Sequence, residues 1–228
     1  MGLGETSMKS FYRVTEIKST NPSPIYQEDK LALNKLCLES FVNAFSDVQP
    51  SVTFICDYCT DKTKEMIEEV CPFEKEILMT NMGINETAIL QFNMAKDVED
   101  DTIFFGECDY IYNGVIGMKM VRAIRELELV SPYDHLNYYL SKEHSDIVML
   151  KLVNDVHFRS VENATMTFGI KTSLFKETSE IWKKYGYLDK ENWKEMRQLG
   201  HMLFVPIPSF ATHMCKSYLA PSVEWNYE

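Results

Sequence analysis

The first half of the chain alternates between short apolar runs and longer segments with apolar residues at helical spacing. Strand-length runs occur at residues 10–15, 52–56 and 76–79 and again from residue 102. Between them, the spacing predicts helices over residues 29–45, from residue 60 or 61 to residue 70, and over residues 86–96. Strands that alternate with helices in this way predict a parallel sheet with right-handed crossovers, and therefore an α/β fold.

The second half of the chain is less regular. Its pattern predicts helices over residues 114–127, 173–185 and 189–199, and strands over residues 146–153, 164–170 and 202–205. The strands at 146–153 and 164–170 could pair antiparallel. Segment 131–141 combines many aromatic and polar residues, which favours a position on the surface. We therefore expect a mostly parallel sheet flanked by helices, with a smaller antiparallel portion in the second half.

The length and composition favour one folded domain. A chain of 228 residues with 45% hydrophobic residues can bury a full core. We expect one domain over residues 8–228, with residues 1–7 as a leader or a disordered start. No apolar run approaches the roughly 20 residues of a membrane span, and the N-terminus has no hydrophobic signal region. The sequence therefore predicts a soluble, cytoplasmic protein.

The charge and the cysteines argue against two classes of function. The net charge of -11 is spread along the chain without a basic run, which argues against unspecific binding to nucleic acids. The six cysteines lie in apolar segments, as is typical of reduced thiols in an intracellular protein. Cys56 and Cys59 form a CxxC motif, but it lacks a second ligand pair at zinc spacing and does not predict a zinc site.

Candidate chemistry concentrates at residues 102–113, where an apolar run reaches Gly106 and two carboxylates follow, Glu107 and Asp109. Side chains two residues apart in an extended backbone share a face, so both carboxylates can address one ligand while Cys108 points toward the sheet. Carboxylates just beyond a parallel strand can hold a divalent cation and the phosphates that it bridges. The same short pattern is also typical of a solvated acidic turn.

Polar side chains also occur at the ends of the neighbouring predicted strands. The carboxyl ends of parallel strands meet at one edge of a sheet, where open α/β sheets bind their ligands. We therefore expect five side chains to gather there: Arg13, Asp57, Asn81, Glu107 and Asp109.

The order of these motifs resembles that of the GT-A glycosyltransferases, most closely glycosyltransferase family 2. Those enzymes share an acidic turn after a strand, here ICDYCTDKT at residues 55–63, followed by Asn-x-Gly and a helical Asn, here NMG from residue 81 and Asn93. Their next strand ends in an Asp-x-Asp motif, here ECD at residues 107–109. Weaker matches are HFRSVENATMTFGI, DKENW and PIPSFATH. The resemblance implies a Rossmann-like GT-A fold, with a nucleotide-sugar-binding half at residues 8–113 and an acceptor-binding half at residues 114–228.

The resemblance also implies residues that bind a nucleotide-diphosphate sugar as the donor substrate. Asp57 matches the family's base-binding aspartate, since a carboxylate can accept the N–H of uracil or guanine. A capping or turn aspartate is the alternative for Asp57. Arg13 could reach the nucleotide as a cation or could be a surface arginine, and Asn81 belongs to the same implied donor site.

The implied metal site involves three side chains. Asp109 matches the family's metal-binding carboxylate, while Glu107 stands where a first aspartate is usual and could touch the metal, a metal-bound water or the ribose. His213 resembles a late histidine that completes the site in some relatives, although a lone histidine can also be structural. Carboxylates suit Mg²⁺ or Mn²⁺, and an imidazole ligand would favour Mn²⁺.

Catalysis in the family inverts the anomeric centre in one displacement. A cation neutralises the charge that grows on the departing diphosphate, and an Asp or Glu takes the acceptor's proton. The base should lie at the start of a helix in the second half, which leaves Glu191 and Asp189 as candidates, although Asp189 could instead be the N-cap of that helix. Asp134 is a weaker candidate that could bind acceptor hydroxyls, and Trp225 is the tryptophan we expect near the ligand.

The predicted function is therefore that of a metal-dependent inverting hexosyl- or pentosyltransferase, whose acceptor we expect to be a carbohydrate or glycoconjugate. One alternative is a phage-type glycosyltransferase that acts on hydroxymethylated pyrimidine in DNA, against which the acidic balance argues. The other alternative is a non-catalytic nucleotide-sugar-binding module, because a fold does not by itself imply an activity.

Overall fold

The computed structural model describes residues 7–140, 149–221 and 223–225. Its strands are, in chain order, β1 (Met8–Thr15), β2 (Ser51–Asp57), β3 (Lys75–Thr80), β4 (Thr102–Glu107), β5 (Tyr110–Tyr112), β6 (Leu129–Val130), β7 (Leu150–Val153), β8 (Val156–Val161), β9 (Phe168–Lys171), β10 (Leu203–Ile207) and β11 (Ala211–His213). Its helices are α1 (Lys30–Ala44), α2 (Asp61–Val70), α3 (Ile84–Ala95), α4 (Gly117–Leu127), α5 (Asn137–Leu140), α6 (Thr172–Tyr185) and α7 (Asp189–Gln198). Nine of these strands form one sheet in the order β3-β2-β1-β4-β9-β6-β10-β8-β7, and β11 pairs with β5 in a second sheet.

The first four strands of the large sheet are parallel, as the sequence predicts. β1 lies between β2 and β4, with Thr15 beside Asp57 on one side and Arg13 beside Glu107 on the other. The intervening helices α1, α2 and α3 connect these strands in the predicted order. The carboxyl ends of β1, β2 and β4 therefore lie side by side at one edge of the sheet, where ligands of open α/β sheets bind.

Glu16, just after β1, forms hydrogen bonds with residues at the start of α2. Its carboxylate accepts hydrogen bonds from the N–H and the hydroxyl of Thr60, both over 2.8 Å, and from the hydroxyl of Thr63 over 2.6 Å. Although burial acts in the opposite direction, these bonds hold the pKa of Glu16 below its usual value. The predicted start of α2 is confirmed. The N-cap residue Thr60 makes no side-chain cap hydrogen bond, and Glu16 from the loop after β1 holds Thr60 and Thr63 instead.

The second half of the large sheet is mostly antiparallel. β9 pairs antiparallel with β4 and β6, and β7 pairs antiparallel with β8. The prediction that segments 146–153 and 164–170 pair with each other is therefore wrong, although residues 146–148 lie outside the described residues. The sequence analysis misses β8, in which His157 and Arg159 interrupt the apolar pattern, and β8 is the hairpin partner of β7. The predicted fold class, with parallel and antiparallel portions, is confirmed.

Alternating side chains of the central strands build a core on each face of the sheet. Tyr12 and Phe104 pack on one face with residues of α1, α2 and α4, whereas Phe11 and Phe105 pack on the other with residues of α3, α6 and α7. A sheet that is buried on both faces leaves its strand ends as the places where polar side chains reach solvent.

Segment 131–141 is predicted to lie on the surface, and that prediction is wrong for residues 131–134 and for Tyr138, which are buried. Asp134 is fully buried, forms an ion pair with Arg159 and accepts a hydrogen bond from the Tyr139 hydroxyl. The Arg159 guanidinium lies 5.0 Å from the ring centre of Tyr138 and 4.2 Å from that of Tyr139. Because these polar groups are paired, a polar segment can be buried here.

None of the helices among the described residues is long and apolar enough to cross a membrane. All six cysteines are free, and five of them are buried.

Candidate active site

Arg13, on β1, links β4 to the first residue of α3. Its guanidinium forms an ion pair with Glu107, donates a hydrogen bond from Nη1 to the carbonyl of Ile84 over 2.9 Å, and lies 4.7 Å from the ring centre of Tyr187. The Glu107 side chain is 13% exposed, and burial raises its pKa although Arg13 opposes the shift. Arg13 holds one Glu107 oxygen, and the other accepts a long hydrogen bond from the Thr167 hydroxyl over 3.5 Å, so Glu107 is less available to a cation than Asp109.

The two-stranded sheet brings Asp109 and His213 together. β11 runs antiparallel to β5, so that His213 lies opposite Tyr110, and the N–H of Met214 donates to the carbonyl of Asp109 over 2.7 Å. The His213 Nε2 atom lies 3.2 Å from Oδ2 of Asp109, and its ring stacks on that of Tyr110 with 4.9 Å between ring centres. The other carboxylate oxygen of Asp109, Oδ1, is buried and has no hydrogen-bond partner among the described residues.

Asp109 and His213 favour each other's charged forms. Burial acts to raise the pKa of Asp109, but the neighbouring His213 outweighs it and holds the pKa well below the usual range. Burial likewise acts to lower the pKa of His213, but the carboxylates of Asp109 and Glu107 outweigh it and raise that pKa. A carboxylate that stays ionised in a half-buried position is the form that can ligate a cation.

The Asp109–His213 pair fits a divalent cation whose coordination shell is completed by a substrate. Among residues 7–140, 149–221 and 223–225, no group of three or more His, Cys, Asp or Glu side chains could hold a metal ion by itself. Mg²⁺ and related ions are commonly bound by one or two carboxylates together with substrate phosphates rather than by a closed set of protein ligands. Asp109 offers its unpartnered Oδ1, and His213 can add Nε2 as a second ligand when the cation displaces its proton.

Asp57 lies at the same edge of the sheet, on the other side of β1. Strand spacing places the ends of β2 and β4 about 10 Å apart. The Asp57 carboxylate accepts hydrogen bonds from the Thr80 hydroxyl over 2.9 Å, from Met82 N–H over 2.8 Å and from Gly83 N–H over 3.1 Å. It therefore fixes the loop that carries the exposed Asn81, in line with the turn alternative. A role of Asp57 and Asn81 in binding a nucleotide remains a prediction.

The two candidate bases at the start of α7 differ in environment. Leu188 is the N-cap residue, so the alternative that Asp189 caps the helix is wrong. Asp189 is partly buried, its Oδ1 accepts a hydrogen bond from Lys190 N–H over 2.6 Å, and burial raises its pKa. Glu191 is exposed. The Tyr187 phenol interacts electrostatically with both Glu107 and Asp189, and these charges raise its pKa together with burial. The Tyr187 ring lies over Arg13, so the segment just before Asp189 reaches the edge of the sheet that carries Glu107.

Sequence reasoning misses two side chains of this site. Tyr187 covers Arg13, and Lys30 at the start of α1 lies in electrostatic range of Asp109. Neither has a local sequence signal, since each joins the site through the packing of distant segments. Asp134 does not offer its carboxylate to an acceptor, because Arg159 and Tyr139 use it inside the protein.

Trp225 is half-buried and packs with Leu33, Cys37 and Met214. Its indole N–H donates to the carbonyl of Ala220 over 3.0 Å. The prediction that Trp225 lies near a ligand is not tested by these contacts. Leu33 and Met214 also line a cleft beside Asp109, so Trp225 supports the wall of that cleft.

No protein-family model matches the sequence, and no curated protein is similar to it at a significant level. Solved structures do match its fold. A proposed nucleotide-diphospho-sugar transferase from Desulfovibrio desulfuricans G20 matches with a TM-score of 0.54 and 7% identity, over 87% of this chain and 78% of the other. The galactosyltransferase LgtC, in complex with donor and acceptor sugar analogs, matches with a TM-score of 0.51 and 8% identity, over 86% of this chain and 72% of its own. The 4-diphosphocytidyl-2C-methyl-D-erythritol synthase from Anaerococcus prevotii DSM 20548 matches with a TM-score of 0.54 and 11% identity, over 88% of this chain and 86% of the other.

This protein has a GT-A fold, the fold of nucleotide-sugar transferases, as the resemblance implies. At these identities the similarity shows the fold alone, and a synthase shares it with the sugar transferases. The reaction must therefore be argued from the site.

Proposed function

We propose that this protein is a glycosyltransferase that moves a sugar from a nucleotide-diphosphate sugar to an acceptor hydroxyl, with a divalent cation and inversion at the anomeric carbon. The observation that carries the proposal is the Asp109–His213 pair, which leaves a buried carboxylate oxygen without a partner at the ligand-binding edge of a GT-A fold. An orphaned, ionised oxygen in such a position supports a cation ligand.

Asp109 and His213 are the residues that would hold the cation, and the imidazole favours Mn²⁺ over Mg²⁺. Bound there, the ion would neutralise charge that develops on the departing diphosphate. Arg13 keeps Glu107 in place beside this pair, and Asp57 and Asn81 are the proposed contacts to the nucleotide. The fixed loop around Asp57 supports that role, because a donor site must be preorganised.

We assign the general base to Asp189 rather than to Glu191. A base should have a pKa that is raised toward neutral pH, and burial shifts the pKa of Asp189 in that direction. Tyr187, two residues earlier, covers Arg13 beside Glu107, so the start of α7 lies close to the proposed donor site. Glu191, two residues further along α7, is exposed and lacks the partial burial of Asp189.

The acceptor we propose is a carbohydrate or glycoconjugate. The net charge of -11 supports this choice over a phage-type enzyme that acts on modified DNA, because DNA is a polyanion. The free and mostly buried cysteines support an intracellular enzyme. A non-catalytic module is the alternative that the following experiment would reveal.

The experiment measures nucleoside diphosphate released from UDP-, GDP-, CDP- and dTDP-sugars with Mn²⁺, with Mg²⁺ and with chelator. We expect cation-dependent release from one class of donor. Asp109→Asn should lower the rate about 100-fold or more, since a catalytic metal contributes several kcal/mol. Asp97→Asn is the matched control, because Asp97 is exposed and follows α3 at the opposite edge of the sheet. No release from any donor, or full activity in Asp109→Asn, would contradict the proposal.

A further inference from the structure

A cleft opens between the loop after β1 and Asp109. Lys18, Tyr26, Lys30, Asp109 and Met214 are among the residues that line it. The cleft therefore joins the proposed cation ligand to a lysine that the proposed function does not yet use.

Lys30 is held in this cleft by its position in the fold. It is the first residue of α1, directly after Asp29, whose side chain accepts a hydrogen bond from Ala32 N–H over 3.0 Å and so fixes the start of the helix. The Lys30 side chain is half-buried and interacts electrostatically with Asp109 and with Cys108. Burying an ammonium is costly unless an opposite charge compensates it, which Asp109 does.

The Lys30 side chain adds a positive charge beside Asp109, although the net charge of the chain is -11. Asp109 interacts with Lys30 and Arg13, and Arg13 is already paired with Glu107. His213 does not count as a charge here, because a cation ligand must be a neutral imidazole. A divalent cation on Asp109 together with Lys30 would therefore give this cleft a local excess of positive charge, which concentrates anions such as phosphates.

We propose that Lys30 binds the diphosphate of the nucleotide-sugar donor in the cleft beside Asp109. This inference rests on the proposed function and adds to it a phosphate-binding residue that the sequence motifs do not contain. A cation on Asp109 cancels the attraction between that carboxylate and the Lys30 ammonium. Lys30 is then available as a point charge for the phosphate oxygens, the role that lysine commonly has in phosphate sites.

The test is the dissociation constant of nucleoside diphosphates, UDP, GDP, CDP and dTDP, measured by calorimetry with Mn²⁺ and with chelator. Lys30→Met should weaken binding about 10- to 100-fold, the usual effect of losing a charge-assisted hydrogen bond. Lys30→Arg should retain most of the affinity because it keeps the charge. Lys35→Met is the matched control, since Lys35 lies on the same helix but pairs with Glu69 on the surface.

Chemical labelling of the wild-type protein gives a second readout that does not depend on a folded variant. With an amine-reactive reagent and mass spectrometry, the bound nucleoside diphosphate should protect Lys30 several-fold, whereas Lys35 should react at the same rate with and without it. A purely structural Lys30 would show no such protection.

The outcomes separate this inference from the proposed function. If the wild-type protein binds a nucleoside diphosphate but Lys30→Met binds it equally well and Lys30 is not protected, the Lys30 inference alone is wrong. If the wild-type protein binds none of the four nucleotides, the proposed function is wrong, and the inference that depends on it is wrong as well.

Discussion

The buried ion pair between Asp134 and Arg159 should be essential for the stability of the second half of the protein. The Asp134 side chain is fully buried and the Arg159 side chain is 4% exposed. Replacing Arg159 by Met would leave the Asp134 carboxylate without its cation, and the Tyr139 hydroxyl would be its remaining side-chain partner among the described residues. Removing one partner of such a pair costs about 3–5 kcal/mol. For a chain of this size, that corresponds to a decrease in Tm of roughly 6–20 °C.

The pH dependence of the Arg159→Met variant tests the same reasoning. Burial already raises the pKa of Asp134 in the wild-type protein, although Tyr139 and Arg159 oppose the shift. Without Arg159 the folded-state pKa should rise further. An acid whose pKa is raised on folding stabilises the fold below its unfolded pKa and loses that contribution as the pH rises through its folded value. The loss of unfolding free energy in Arg159→Met, relative to the wild-type protein, should therefore be smaller at pH 5 than at pH 7.

The assay is denaturant unfolding of the wild-type protein, Arg159→Met, Asp134→Asn and the double variant. The two single variants should not be additive, because the two residues contact each other. The decrease in unfolding free energy of the double variant should be smaller than the summed decreases of the single variants by at least about 1 kcal/mol. Arg125→Met is the control, since the Arg125–Asp101 pair is 31% and 55% exposed and should contribute below about 1 kcal/mol. Single variants that cost less than 1 kcal/mol, or strictly additive effects, would refute the reasoning.

Three further predictions concern the base, a helix end and a tight contact. Asp189→Asn should lower kcat about 10²- to 10⁴-fold in steady-state kinetics, whereas Glu191→Gln should not, and the reverse result would exchange their roles. Glu16→Gln should lower the free energy of unfolding by up to about 1 kcal/mol at pH 7. Because the pKa of Glu16 is depressed, that difference should disappear as the pH falls through its folded value, and a constant difference would contradict the account. Gly169→Ala would place a Cβ 2.3 Å from Cδ1 of the buried Ile124, so it should destabilise the fold by about 1–3 kcal/mol in thermal unfolding, and a neutral effect would contradict this packing.

The parallel half of the fold could be predicted because its signals are local. Short apolar runs and amphipathic helices alternate in order, and alternation of this kind permits few topologies. That Asp57 and Asp109 lie at one edge follows directly, since parallel strands that are linked by helices end on the same side. The pattern of strands and helices alone therefore predicts that the carboxylates of the ECD motif lie at this edge.

The rest of the site depends on contacts between distant segments. His213 is 104 residues from Asp109, and the sequence analysis includes it only through the family resemblance. Lys30 joins the site because α1 packs beside β5, and no residue pattern indicates that contact. The prediction that the segment around Asp134 lies on the surface is wrong for the same reason. Its polar residues indicate exposure, but Arg159 from β8 pairs with Asp134 and allows it to be buried.

The most direct test of the central claim is a Mn²⁺ titration followed by electron paramagnetic resonance, with and without the preferred nucleoside diphosphate. The account predicts that the nucleotide tightens Mn²⁺ binding to the wild-type protein, because Asp109 and His213 supply only part of the coordination shell. Asp109→Asn should abolish that tightening, whereas Asp97→Asn should retain it. Equal Mn²⁺ affinity with and without the nucleotide, or an Asp109→Asn variant that behaves like the wild-type protein, would contradict the claim that this carboxylate holds a cation against the donor diphosphate.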